Sequence, residues 1–162
     1  MTAIGVDRRL DDKSQLKTES VAAILKRCRP SLIADWLKRT KESTELNHLA
    51  LTDIERTGHL PKLVEDLIVR LNKSDRACEG DHAIASPAAV NHGILRHTQG
   101  YSAAMLVHES RILQVTIFGT LHDNTNALDS SLLLSNVMVI ADEVDAQLAQ
   151  TMVSFMKSAD AV

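Results

Sequence analysis

The sequence predicts an all-α protein, a helical bundle, from three observations. Hydrophobic residues make up 44% of the 162 residues, but aromatic residues only 2%. A core built from Leu, Val, Ile, Ala and Met suits helix packing better than a sheet. Apolar residues recur at helical spacing in several segments, and no segment shows the alternation of apolar and polar residues that is typical of a strand.

The first helical region is predicted over residues 18–41, with Trp36 as an anchor of the core. Pro30 interrupts this region. Because proline lacks an amide proton and disfavours helical geometry in the residue before it, we expect a kink or two abutting helices there. The polar stretch 41–47 that follows is expected to be a loop.

Two further helices are predicted from their end signals. Thr52 and Glu55 have the spacing of a capping box, which indicates a short helix that ends at Gly58-His59. Pro61 can stand in the first turn of the next helix. The apolar face of that helix is the clearest in the chain: Leu60, Leu63, Val64, Leu67, Ile68 and Leu71.

The stretch from His92 to Leu121 organises the rest of the prediction. Ser86-Pro87 is a good helix start, and this helix is expected to end near Gln99. After a break at Gly100-Tyr101, a long helix is predicted over residues 102–121. One apolar face of the long helix consists of Leu106, Leu113, Ile117 and Leu121, and a second patch consists of Met105, Ile112 and Val115. A helix that is apolar on two sides is usually buried on two sides, for example against its own core and a partner subunit.

The last helix is predicted over residues 129–156. Its apolar positions follow a nearly heptad rhythm: Leu133, Val137, Ile140, Val144, Leu148, Thr151 and Phe155. No glycine or proline ends it, which suggests continuation into a downstream segment. The expected layout is a flexible tail over 1–17, one domain over 18–157, and a tail or the start of a linker to an effector domain over 158–162.

Glu109 is the unusual residue of the long helix, because its neighbours one turn away are apolar. A buried carboxylate must be paired or hydrogen-bonded. His92, Arg96, His97 and Tyr101 lie upstream and could meet it across the Gly100 turn. Three interpretations stay open: a structural pair between two helices, an internal polar site that binds a ligand or switches, and simple surface exposure.

Composition and motifs exclude several functions. The net charge of −3 leaves no basic footprint for nucleic acid. No apolar run approaches the roughly 18 residues of a membrane span, so direct membrane contact is not expected. Cys28 and Cys78 lack the spacing of metal ligands, and a reducing cytoplasm is the simpler setting. No phosphate loop, nucleophile elbow or zinc helix is present, which predicts a chain without catalytic residues, metal or cofactor.

The ordered motifs resemble a known family. They are the Trp of the first region, Gly58-His59-Leu60-Pro61-x-Leu63, and His92-Gly93-x-x-Arg96-x-x-Gln99-Gly100-Tyr101 followed by Leu106 and Glu109. Together they resemble the N-terminal domain of RsbRD-type proteins, over residues 18–157. That family includes the stressosome co-antagonist RsbR and the N-terminal regions of many bacterial sensor histidine kinases.

The resemblance implies a non-catalytic sensory domain with a globin-like fold that lacks haem. It also implies a homodimer that passes a helix rearrangement to a C-terminal output domain of a signalling protein, most simply a histidine kinase of a two-component system. His92, Arg96, Tyr101 and Glu109 are the candidate switch or ligand site. The alternatives are a globin-like sensor of haem or a small ligand, with His97 or His92 as the haem ligand, and a purely structural dimerisation module.

Overall fold

The computed structural model describes residues 18–74 and 85–161, and in these residues the prediction of an all-α fold is confirmed. The α-helices are α1 Val21–Glu42, α2 Thr44–Asn47, α3 Asp53–Thr57, α4 Leu60–Ser74, α5 Pro87–Thr98, α6 Ala103–Asp123 and α7 Leu133–Asp160. Two 3₁₀ turns, Thr125–Ala127 and Ser130–Leu132, connect α6 to α7. Within the described ranges the only β-type pairing is an isolated bridge between Glu19 and Leu128.

Local sequence chemistry explains where several helices begin. Ser20, Ser86 and Ser102 each accept a hydrogen bond from a backbone amide of the first turn of α1, α5 and α6, which satisfies a donor that the helix leaves unpaired. The capping box predicted at Thr52 and Glu55 is present at the start of α3. These caps fix the entry points of the helices that build the site.

The helices form a bundle around two apolar clusters. The longest helix, α7, packs on α4, α5 and α6, while α1 packs on α4 and α6. The larger cluster joins α1, α4, α6 and α7 and contains Trp36, which is 1% exposed, as predicted for a core anchor. The smaller cluster lies at the other end of α6 and includes Leu46, Tyr101 and Phe155.

Some predicted boundaries are wrong. Helix α1 runs as one element through Pro30, so there are not two abutting helices; packing of its buried face outweighs the loss of one hydrogen bond. The stretch 41–47 is not a loop, because α1 continues to Glu42 and α2 follows as one helical turn. Helix α7 begins at Leu133 rather than at 129 and extends to Asp160.

The apolar faces of α6 and α7 contact the chain's own core. Leu113 of α6 belongs to the larger cluster and Met105 to the smaller one, and Ile112 packs against both. Only Val115 of the second patch is exposed. The heptad positions of α7 that are buried, Ile140, Val144, Thr151 and Phe155, also face inward. The buried residues of both patterns are therefore accounted for by the two clusters within one chain.

The predicted tail over residues 1–17 lies outside the described residues, as does Cys78. Among the residues that the structure describes, no helix combines the length and the apolar character needed to cross a bilayer.

Candidate functional site

The candidate site is centred on the carboxylate of Glu109, which is 3% exposed in the middle of the bundle. Arg96 of α5 forms two hydrogen bonds with it: Nη2 donates to Oε1 at 2.6 Å and Nε donates to Oε2 at 3.2 Å. Nε2 of His92, also on α5, lies 3.1 Å from Oε2. Paired, charge-assisted bonds of this kind are among the strongest in proteins, so Glu109 is held by two residues one helical turn apart.

The guanidinium of Arg96 is fully buried and extends the site to α3. Its Nη1 donates to the carbonyl of Glu55 at 3.1 Å and to Oε1 of Gln99 at 2.6 Å. Its Nη2 donates to the carbonyl of Arg56 at 2.7 Å. The two backbone carbonyls belong to the last turn of α3, where they have no acceptor role within the helix. The ion pair thus ties α3, α5 and α6 to one another.

The turn after α5 brings Tyr101 back to the same carboxylate. Gly100 has φ of 81°, a left-handed conformation that glycine adopts without the steric penalty of a side chain. The amide of Tyr101 then donates to the carbonyl of Arg96 at 3.0 Å. Its hydroxyl donates to Oε1 of Glu109 at 3.3 Å, and its ring lies 4.6 Å from the guanidinium carbon of Arg96, within cation–π range.

A stack of rings continues the site toward α1. The imidazole of His59, in the turn between α3 and α4, lies on the imidazole of His92, with centroids 3.8 Å apart and planes inclined by 16°. Trp36 of α1 meets His59 edge to face at 5.8 Å. The polar cluster, defined here as His59, His92, Arg96, Tyr101 and Glu109, therefore borders the larger apolar core.

Burial and charge shift the titration of this cluster. Burial alone would raise the pKa of Glu109, but the hydrogen bond from His92 and the charges of His92 and Arg96 prevail and lower the pKa to about 2 from 4.5. Burial and the charge of Glu109 raise the pKa of Tyr101. Because the pKa of Glu109 is depressed, its contribution to stability is complete above pH 4.5 and is lost as the pH falls toward about 2.

A small cavity adjoins the cluster. It has a volume of about 30 Å³ and is lined by Trp36, His59, His92 and Glu109 together with apolar residues of α4, α6 and α7. One or two water molecules fit such a volume. Nε1 of Trp36 and Nδ1 of His92 are buried without a hydrogen-bond partner, so two polar atoms of the lining are free to meet a small polar occupant.

Within residues 18–74 and 85–161, the group that could hold a metal is His59, His92 and Glu109, since one donor atom of each lies within 4.8 Å of the others. Their geometry is poor for this purpose. An imidazole donates its lone pair in the plane of the ring, so two nearly parallel rings 3.8 Å apart do not aim at one ion about 2 Å from each nitrogen. In addition, Arg96 already places a cation 2.6 Å from the carboxylate.

The structure brings together four of the predicted site residues, His92, Arg96, Tyr101 and Glu109, and leaves the fifth outside. His97 packs its ring against Phe155 at 5.4 Å instead. This contact joins a histidine and a phenylalanine that are far apart in sequence.

Sequence reasoning missed His59 and Trp36 as members of the site. The available signal was their presence in the same ordered set of motifs as His92 and Arg96. No protein-family model, curated protein or solved structure matches this chain.

Proposed function

We propose that this chain is a non-catalytic regulatory domain of a bacterial signalling protein, with the fold of an RsbRD-type N-terminal domain and a globin-like arrangement without haem. The observation that carries the proposal is the polar cluster. Residues that form the resemblance, from His92 to Glu109, are the ones that bind one another in the bundle interior. In this proposal these residues stabilise one of two packing arrangements of the helices.

The physical reason is that a buried ion pair has no gradual way of opening. Glu109 and Arg96 are 3% and 0% exposed, and separating them would leave a charge without a partner, at a free-energy penalty of several kcal/mol. The helices that they join are therefore either closed around the pair or rearranged so that water reaches it. Such a discrete pair of states is what a regulatory domain requires.

We propose that the change in helix packing is transmitted through α7 in a homodimer. Helix α7 has two exposed apolar patches on the side away from the core, one near each end: Leu134 with Met138, which are 76% and 66% exposed, and Val153 with Met156, which are 54% and 58% exposed. The exposed Asp142 and Asp145 separate the two patches on the same face. These patches, rather than the inward-facing heptad positions, are the proposed contact with a second copy. A C-terminal effector, most simply the kinase part of a sensor histidine kinase in the cytoplasm, would receive the change.

The second candidate is a sensor of a small ligand, and the cavity beside His59 and Glu109 favours it. Nε1 of Trp36 can only donate, and Nδ1 of a neutral imidazole whose Nε2 donates to Glu109 can only accept, so the two nitrogens suit an occupant that both accepts and donates. A volume of about 30 Å³ is roughly a tenth of the smallest usual ligand pockets. It therefore admits an occupant of the size of one or two water molecules and disfavours haem at His92.

The oligomeric state tests the proposal. We expect light scattering over a dilution series to low micromolar concentration to give the mass of a dimer. Replacing Leu134 and Met138 together by Glu should give a monomer, because charge cannot be buried in the apolar contact. Val115→Glu is the matched control: Val115 is 46% exposed on α6, and this variant should remain dimeric. A monomer at every concentration of the unchanged chain would remove the dimeric relay.

A further inference from the structure

The stacked imidazoles of His59 and His92 are the feature of the site that the ion pair does not explain. Their centroids are 3.8 Å apart in a bundle interior, where two imidazolium ions would repel each other strongly. Histidine is the side chain whose ordinary pKa lies closest to physiological pH. The stack therefore accommodates at most one protonated imidazole beside the guanidinium of Arg96.

The contact with Arg96 disfavours a proton on one nitrogen of His59. Nη2 of Arg96 lies 3.4 Å from Nδ1 of His59, and its two hydrogens already point to Oε1 of Glu109 and to the carbonyl of Arg56. A guanidinium is a cation without an acceptor, so this contact favours an Nδ1 that carries no proton. Protonation of Nδ1 would turn this contact into a meeting of two cations.

The charged groups around His59 come from two helices. Helix α5 presents His92 and Arg96, and α6 presents Glu109. Helix α1 presents Trp36, which is uncharged, and the cavity lining from α7 is also uncharged: Val144, Gln147, Leu148 and Thr151. Glu109 attracts a proton on His59, but it is already engaged with Arg96 and His92. The pKa of His59 is therefore set by burial and by the charges of His92 and Arg96, which lower it, against the charge of Glu109, which raises it.

The position of His59 allows its side chain to leave. It stands in the two-residue turn, residues 58 and 59, between α3 and α4. Rotating it toward solvent breaks no hydrogen bond inside a helix, whereas the other members of the stack lie on regular helices. Its departure would open the cavity beside Trp36 and detach the turn from Arg96.

We propose that the stacked His59–His92 pair is a proton-binding switch, in which acidification drives the His59 side chain out of the stack and opens the α3–α4 turn. This inference depends on the proposed regulatory function in one respect only, that the proton would be the signal to which the domain responds. Burial lowers the pKa of His59 well below 6.5, and the charge of His92 lowers it further. Because the pKa is depressed, the closed stack is fully stable above pH 6.5 and loses stability as the pH falls through that value toward the lowered one.

Trp36 supplies a probe for the test, since it is the only tryptophan of the chain and touches His59. We expect its emission to shift reversibly to longer wavelength between pH 8 and pH 5, as water enters the opened cavity. Helicity, followed by far-ultraviolet circular dichroism, should stay unchanged over the same interval. Loss of helicity in the same transition would mean global acid unfolding and would overturn the proposal.

Two variants assign the transition. His59→Gln should abolish the emission shift, because Gln cannot be protonated. His97→Gln is the control and should retain the shift, because His97 packs on Phe155 instead. A shift that persists in His59→Gln would also overturn the proposal.

If His59→Gln does not fold, NMR titration of the histidines in the unchanged chain decides. A midpoint for His59 below 6.5, accompanied by the Trp36 shift, supports the switch, and an unshifted midpoint contradicts it. Neither readout depends on the oligomeric state. A proton-linked opening in a protein that stays monomeric would leave the switch standing while removing the proposed dimeric relay.

Discussion

Replacing Arg96 by methionine is expected to lower the free energy of unfolding by about 3–5 kcal/mol, because it leaves the buried carboxylate of Glu109 without its main partner. Arg96 is fully buried and bonds to Glu109 at 2.6 Å, to Gln99, and to two backbone carbonyls of α3. The apolar volume of methionine replaces part of the packing but none of these bonds. Urea denaturation followed by circular dichroism measures the change.

The matched control is Arg39→Met, on the surface of α1. Arg39 pairs with Asp35 at 3.0 Å, but both side chains are more than 40% exposed, and such a pair contributes at most about 1 kcal/mol. Combining Arg96→Met with Glu109→Gln should recover part of the lost stability, since the unpaired charge is then gone. If Arg96→Met destabilises no more than Arg39→Met, the polar cluster does not hold the helices together.

Gly93→Ala is expected to have the second large effect, a loss of about 3 kcal/mol or more, because the added methyl group has no space. A Cβ at Gly93 would lie 2.2 Å from the carbonyl oxygen of Thr151 and 2.1 Å from Oγ of Ser154. Both are on α7, so α5 and α7 would have to separate. Since α5 carries His92 and Arg96, the same separation should disturb the polar cluster.

Gly119→Ala is the control for this prediction. Gly119 lies inside α6, and the nearest atom to an added Cβ is the end of the Arg39 side chain at 3.9 Å, an ordinary contact. Alanine in a helix interior is favoured over glycine by roughly 0.5–1 kcal/mol, so this variant should be slightly more stable. The melting temperatures of the two variants should therefore shift in opposite directions, down for Gly93→Ala and up for Gly119→Ala. A melting temperature of Gly93→Ala equal to that of the unchanged chain would contradict the close crossing of α5 and α7.

Local signals in the sequence were sufficient for much of the fold. The caps at Ser86 and Thr52 and the left-handed Gly100 depend on neighbouring residues only, so that a sequence pattern can identify them. The pairing of Glu109 was also predictable, because a carboxylate among apolar neighbours needs a partner and Arg96 lies within reach of the same turn.

The features of the site that the sequence did not predict depend on contacts between segments that are distant in the chain. His59 reaches His92 across 33 positions, and Trp36 reaches His59 from α1; no local spacing encodes either contact. Periodicity also does not say what covers an apolar face. A heptad rhythm is typical of contacts between paired helices, but residues of the α7 heptads such as Ile140 and Val144 are buried by the chain itself.

The distance between the two α7 helices of the proposed dimer is the most direct test of the account. A spin label at the exposed position Lys157, to the side of the proposed contact, is introduced as Lys157→Cys after Cys28 and Cys78 are replaced by Ala. It reports this distance by pulsed electron paramagnetic resonance. We expect one narrow distance for the unchanged chain. In Glu109→Gln we expect a second, different distance, because α5 loses its ion pair to α6 and α5 packs on α7. Identical distance distributions in the two proteins would contradict a polar cluster that sets the packing of α7.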